Sequence, residues 1–230
     1  MRRFFRDNGL ALFFLAIFLL SLLGQAIAGH NLYNEQEMEH ANLLHQQPEL
    51  ISFGRYLTSS SFAQAITENW QSEYLQFMLF IVATIWLVQR GSTESKKPGT
   101  EGLESDKDQK VGAHAGDQSP LWARVGGLRS KIYSQSLLIV MALIFFGSWF
   151  AQSVSGWSEY NSERLEHEQQ SLSWVGYLGS ADFWQTTLQN WQSEFLAVGS
   201  MAVLAIYLRQ RGSPESKPVG CPHDATSAQG

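Results

Sequence analysis

The stretch Gly9–Ala28, GLALFFLAIFLLSLLGQAIA, decides how this chain is read: twenty consecutive residues without a charge. At about 1.5 Å of rise per residue, a helix of that length covers the roughly 30 Å hydrocarbon core of a bilayer. Ser134–Val154, SQSLLIVMALIFFGSWFAQSV, is a second uncharged stretch, of twenty-one residues. Two shorter apolar blocks, Tyr74–Val88 and Phe195–Leu208, reach spanning length only if their helices begin at Trp70 and Trp191. Tryptophan suits that position, because its amphipathic ring collects at headgroup depth. The opening stretch also has the shape of a secretory signal, with a basic start at Met1–Arg6 and a small-residue ending Ala26-Ile27-Ala28. Against cleavage stands the internal stretch, which cannot be a signal and ends alike, Gln152-Ser153 against Gln25-Ala26.

Averages over the 230 residues conceal this pattern, since 44% hydrophobic residues and a mean hydropathy of -0.14 describe an ordinary soluble protein. One cysteine, Cys221, excludes an intrachain disulfide and any multi-cysteine metal centre. A net charge of -5 argues against a nucleic-acid partner, which would need a basic surface.

Internal repetition organises the rest. Asn69-Trp70-Gln71-Ser72-Glu73 recurs identically at Asn190–Glu194, and Gln89-Arg90-Gly91-Ser92-x-Glu94-Ser95-Lys96 recurs at Gln210–Lys217, both at an offset of 121. Tyr33-Asn34 and Glu39-His40 recur as Tyr160-Asn161 and Glu166-His167 at an offset of 127. The expectation is an all-α integral membrane protein, a four-helix bundle of two tandem, parallel transmembrane hairpins. Residues 1–90 form the first hairpin with an outer loop at 29–69, and 124–211 the second with an outer loop at 155–190. Residues 91–123, rich in Gly, Ser, Glu, Asp and Lys, read as a flexible cytoplasmic linker, and 212–230 as a disordered cytoplasmic tail. Ser59-Ser60-Ser61 and Ser180-Ala181-Asp182 precede apolar residues at three- and four-residue spacing, the pattern of capped interfacial helices running into the spans. Close helix packing is expected at Gly24, Ala83, Gly147 and Gly199.

Orientation follows from lysine and arginine: the two outer loops hold only Arg55 and Arg164, and the other fourteen lie on the opposite side. Positive charge stays in the cytoplasm, so both termini and the linker are expected there, in a multi-pass protein of the inner membrane.

Four sets of residues are candidates for function. Glu73 and Glu194 each lie one turn inside a tryptophan, where a carboxylate in a span normally faces a partner or a water-filled vestibule. Gln25 and Gln152 sit at the same outer level as donors. Glu39 and His40, with Glu166 and His167 in the other half, place a carboxylate and an imidazole where both could reach one divalent cation. Trp70, Trp191, Arg90 and Arg211 are interfacial anchors. The bland alternatives are that the two glutamates reach headgroup water and that the loop acids form a solvated face. No HExxH or EF-hand spacing, nucleophilic triad, P-loop, dinucleotide fingerprint or haem motif occurs, so no metal site, cofactor or enzymatic activity is expected.

The opening Arg2-Arg3-Phe4-Phe5-Arg6-Asp7-Asn8-Gly9-Leu10, Gly24-Gln25-Ala26 with Ala28-Gly29-His30, Tyr56–Phe62, and the exit Arg209–Lys217 together resemble an uncharacterised bacterial family of small multi-pass membrane proteins of unknown function. The resemblance covers nearly the whole chain apart from the linker and the last tail, and Val88 departs from it where the second half has Arg209. It implies an inner-membrane location and a duplicated four-helix plan, and carries no catalytic residue. The functional expectation is a non-enzymatic envelope protein acting through lipid or protein partners, a second copy of the chain among them. The alternative is a small proton- or cation-linked transporter or channel using Glu73 and Glu194.

Overall fold

The computed structural model describes residues 2–227, whose regular structure is helical, without a strand among them. Its helices are α1 Arg2–Asp7, α2 Gly9–Leu44, α3 Phe53–Tyr56, α4 Ser60–Trp86, α5 Leu121–Arg124, α6 Gly127–Ser134, α7 Ser136–Glu166, α8 Trp174–Leu178 and α9 Ala181–Tyr207. Met1 and residues 228–230 of the expected tail lie outside the described residues.

Two helices, α2 and α7, are long and apolar enough to cross a membrane, and both outrun their apolar stretch. The uncharged part of α2 stops at Ala28, but the helix continues through Asn34-Glu35-Gln36-Glu37-Met38-Glu39 to Leu44. Glu, Gln and Met are good helix formers, and nothing in that run interrupts the backbone ladder. The stop comes at His45, left-handed at φ 54°, where the Gln46 N–H closes on the Ala41 carbonyl at 2.8 Å. The segments expected as outer loops therefore begin as helix, and α7 likewise runs on to Glu166.

The starts of α4 and α9 follow the serine pattern. Ser59 Oγ accepts from the Phe62 N–H at 3.2 Å, and Ser180 Oγ accepts from the Phe183 N–H at 3.2 Å. One level earlier, Ser52 and Ser173 cap α3 and α8 in the same way. These matched caps stand at the offset of 121 found in the sequence. The ends differ from expectation: α4 stops at Trp86 and α9 at Tyr207, short of the spans drawn to Val88 and Leu208.

Two compact units divide the chain, one made of Met1–Ile66 with Val154–Ser171, the other of Thr67–Ser153 with Leu172–Gly230. In the first, Ala26, Tyr56 and Phe62 form the core, with Leu22, Tyr33, Ile51 and Ile66 against them. Gly29 is what lets the Tyr56 ring lie on α2, since a Cβ there would stand 2.1 Å from the phenol oxygen. Asn34 clamps the returning chain, its Oδ1 accepting from the Ile51 N–H at 2.9 Å and its Nδ2 donating to the Ile51 carbonyl at 3.1 Å. In the second unit Trp149 is the hub of an aromatic cluster with Phe145, Phe183, Trp184 and Trp191. The glycines expected at close helix contacts do not make them: a Cβ at Gly24, Gly147 or Gly199 would meet nothing within 4 Å among the described residues.

Residues 89–102 and 210–226 form a matched pair of loops where composition suggests disorder. In each, a glycine turns the chain at positive φ (Gly91 86°, Gly212 84°) and a serine hydroxyl accepts from a backbone N–H six residues earlier, Gln89 to Ser95 and Gln210 to Ser216, both at 2.9 Å. A lysine then folds back onto a carbonyl six residues on, Lys96 to Gly102 at 2.9 Å and Lys217 to His223 at 2.7 Å. The glycines lie five residues beyond the helix ends, so they shape these loops and do not cap the helices. Lys217 is fully buried and also donates to Gly91 O at 2.7 Å, which ties one loop to the other.

Candidate functional site

In the first unit the far end of α2, the start of α4 and the end of α7 enclose a polar cavity of about 200 Å³. Its walls include Tyr33, Glu37, His40, Ser60, Glu159 and Glu166. Helical continuation past the apolar stretches puts them there: Tyr33, Glu37 and His40 are three- and four-residue neighbours on α2, and Glu159 and Glu166 lie two turns apart on α7. Ser60 Oγ donates to Glu159 Oε2 at 2.9 Å, and His40 Nδ1 stands 3.5 Å from Glu166 Oε2.

Carboxylates dominate the electrostatics. The Tyr33 phenol is pushed above its ordinary value first by burial and then by Glu37, Glu159 and Glu166, with Arg55 opposing. Tyr56, just beneath, is raised by burial and then by Glu159. A raised phenol holds its proton, so Tyr33 faces this acidic space as a neutral donor or acceptor. The arrangement suits a cationic or hydrogen-bonding guest. Among the described residues no three His, Cys, Asp or Glu side chains come together closely enough to hold a metal ion.

Of the residues proposed from sequence for this face, the structure brings His40 and Glu166 together and leaves Glu39 and His167 outside the cavity. Glu37, an acid of the same run as Glu39, joins them, and so do Tyr33, Ser60 and Glu159, which the sequence reading did not propose. The α2 helical register, extended beyond Ala28, would have placed Tyr33, Glu37 and His40 on one face; Ser60 and Glu159 come from distant segments and had no signal in sequence.

The other set is divided. Glu73 and Glu194, both in the second unit, lie close enough to interact electrostatically; Glu73 is exposed and Glu194 half-buried. Gln25 belongs to the first unit, where its Nε2 donates to the Ala65 carbonyl at 3.3 Å and ties α2 to α4. Gln152 is buried in the second unit. Trp191, expected as an interfacial anchor, donates its Nε1 to the fully buried Gln71 Oε1 at 2.7 Å, while Trp70 stays exposed. Arg90 and Arg211 are exposed, and Arg209 folds onto the end of α9, donating to the Ile206 and Leu208 carbonyls at 3.0 and 2.8 Å and to Cys221 O at 3.0 Å.

Over residues 1–228 the chain matches the family described as a domain of unknown function (DUF6766), and it belongs to that family. No curated protein and no solved structure matches it.

Proposed function

We propose that this DUF6766 chain is a multi-pass protein of the bacterial inner membrane, with α2, α4, α7 and α9 as its four spans and both termini in the cytoplasm. It acts without catalysing a reaction, through lipid or membrane-protein partners, a second copy of itself among them, and presents the acidic cavity around His40 and Glu166 to the outside. The observation that carries this reading is the apolar exterior of α2 and α7. Leu10 and Leu20 are 74% and 69% exposed, Leu143 is 68% exposed, and Phe14 and Phe150 stand out beside them. A continuous apolar surface of that size is the inverse of a water-facing helix and requires lipid or partner helices to cover it. The charge asymmetry of the loops and the repeated strings of a tandem duplication support the orientation.

Cysteine accessibility tests it. In a Cys221→Ser background on intact cells, a membrane-impermeant maleimide should label Gln47→Cys and Gln170→Cys and spare Leu103→Cys until the cells are opened. Labelling of Leu103→Cys from outside, or release of the protein by an alkaline wash, would overturn the proposal. The electrostatic proximity of Glu73 and Glu194 favours a second reading, a proton- or cation-linked pathway between the hairpins.

A further inference from the structure

The segment before α7 has its polarity inverted. Pro120 leads into α5, Gly126 and Gly127 turn the chain at φ 66° and 64°, and α6 packs back on α5 as a short hairpin. Its large apolar side chains, Leu121, Trp122, Val125, Leu128, Ile132 and Tyr133, are all exposed, Leu128 at 72%. The buried residue of α6 is a serine, Ser130 at 5%, two residues and so about 200° around the helix from both Leu128 and Ile132. The hairpin therefore turns its hydroxyl inward and its leucine and isoleucine outward.

Arg124, Arg129 and Lys131 are interleaved with these apolar residues, and no Asp or Glu occurs between Asp117 and Glu159. Basic residues flanking exposed apolar ones, on a short helix immediately before an apolar helix, match a bilayer surface in both parts: acyl boundary for Leu128 and Ile132, anionic headgroups for the cations.

We propose that the α5–α6 hairpin lies in the plane of the cytoplasmic leaflet and binds anionic phospholipid headgroups through Arg124, Arg129 and Lys131. The inference rests on the membrane reading above and adds a lipid-recognition surface to it.

The test uses the full chain with Cys221→Ser, a single environment-sensitive fluorophore at Leu128→Cys, and a parallel preparation labelled at Leu15→Cys inside the first apolar stretch. Both are reconstituted in phosphatidylcholine vesicles with and without a quarter of phosphatidylglycerol. The label at position 128 is expected to be shielded from aqueous iodide in the anionic vesicles and more accessible in the neutral ones. Arg124→Gln, Arg129→Gln and Lys131→Gln together should abolish that difference. A label at 128 quenched equally in both lipids while the label at 15 is shielded overturns this inference and leaves the membrane reading standing. Equal shielding in both lipids overturns the headgroup recognition. Quenching of both labels overturns the membrane reading itself.

Discussion

Gly29 shows how narrowly one residue can set a local fold. The Tyr56 ring occupies the space a side chain at 29 would need, and Tyr56 is the centre of the first unit's core, with Phe62 at 5.4 Å and Tyr33 at 6.1 Å between ring centroids. Gly29→Ala is therefore expected to destabilise the first unit by about 1–3 kcal/mol, the usual cost of overpacking, read as a lowered unfolding midpoint in detergent. Adding Tyr56→Phe removes the nearest clashing atom, the phenol oxygen, but leaves the ring carbon 3.0 Å away, so the double variant should recover part of the loss. Additivity of the two substitutions would overturn this account of Gly29. The glycine was visible in the sequence, within Ala28-Gly29-His30, but nothing local marked it as a contact. Its partner lies twenty-seven residues on, and only folding brings the two together.

At the scale of elements, the paired loops 89–102 and 210–226 are the feature that composition most misrepresents. Gly, Ser, Glu and Lys in a short run suggest a solvated coil, because such residues bury little apolar surface. Here the loops are closed by hydrogen bonds instead. The Lys217 ammonium is surrounded by the carbonyls of Gly91, Pro222, His223 and Ala225, and Thr226 Oγ1 accepts from the Gly91 N–H at 2.9 Å. Between the loops Glu94 is hydrogen-bonded to Glu215, and its carboxyl is raised above the ordinary value by burial first and by that neighbour next. With a raised value this contribution is full at acid pH and is lost as pH rises through the folded value, so acid favours the closed pair. Lys217→Met keeps the aliphatic stem and removes the donors, leaving carbonyls unpaired. It should cost about 2–3 kcal/mol of local stability and expose residues 210–226 to proteolysis and amide exchange. Unchanged protection of that segment would show that the lysine does not hold it. The repeated string Gly-Ser-x-Glu-Ser-Lys was legible as a motif; its purpose was not, because the acceptors of its lysines lie outside it, at Gly102 for Lys96 and in the other copy and the tail for Lys217.

For the whole molecule, the distribution of polar groups favours the proposed non-transporting reading over a transport pathway. A transport pathway through membrane spans would be expected to carry ionisable groups in mid-bilayer, and the middles of the apolar stretches offer only hydroxyls there, those of Ser21, Thr84, Ser148 and Ser200. Thr84 already spends its hydroxyl on the Phe80 carbonyl of its own helix, at 2.8 Å. Vesicles containing the full chain are accordingly expected to pass protons and monovalent cations no faster than protein-free vesicles, whether wild type or carrying Glu73→Gln with Glu194→Gln. Flux in the wild type that the double variant lacks would overturn the non-transporting reading and make the carboxylate pair the functional site.

Sequence alone determined the helical class, the two long apolar helices, the serine caps that start α4 and α9, and the repeated strings, because each is written within a few consecutive residues or in their periodicity. It did not determine that α2 and α7 run on past their apolar stretches, since hydropathy ends where charge begins but helical hydrogen bonding does not. Only the tertiary structure decided which acids share the cavity with His40, that Gln25 is committed to Ala65, and that a buried lysine joins the two loops. Those contacts link residues far apart in the chain, and the free energy that selects them comes from burial and closed hydrogen bonds that exist only once the chain has folded.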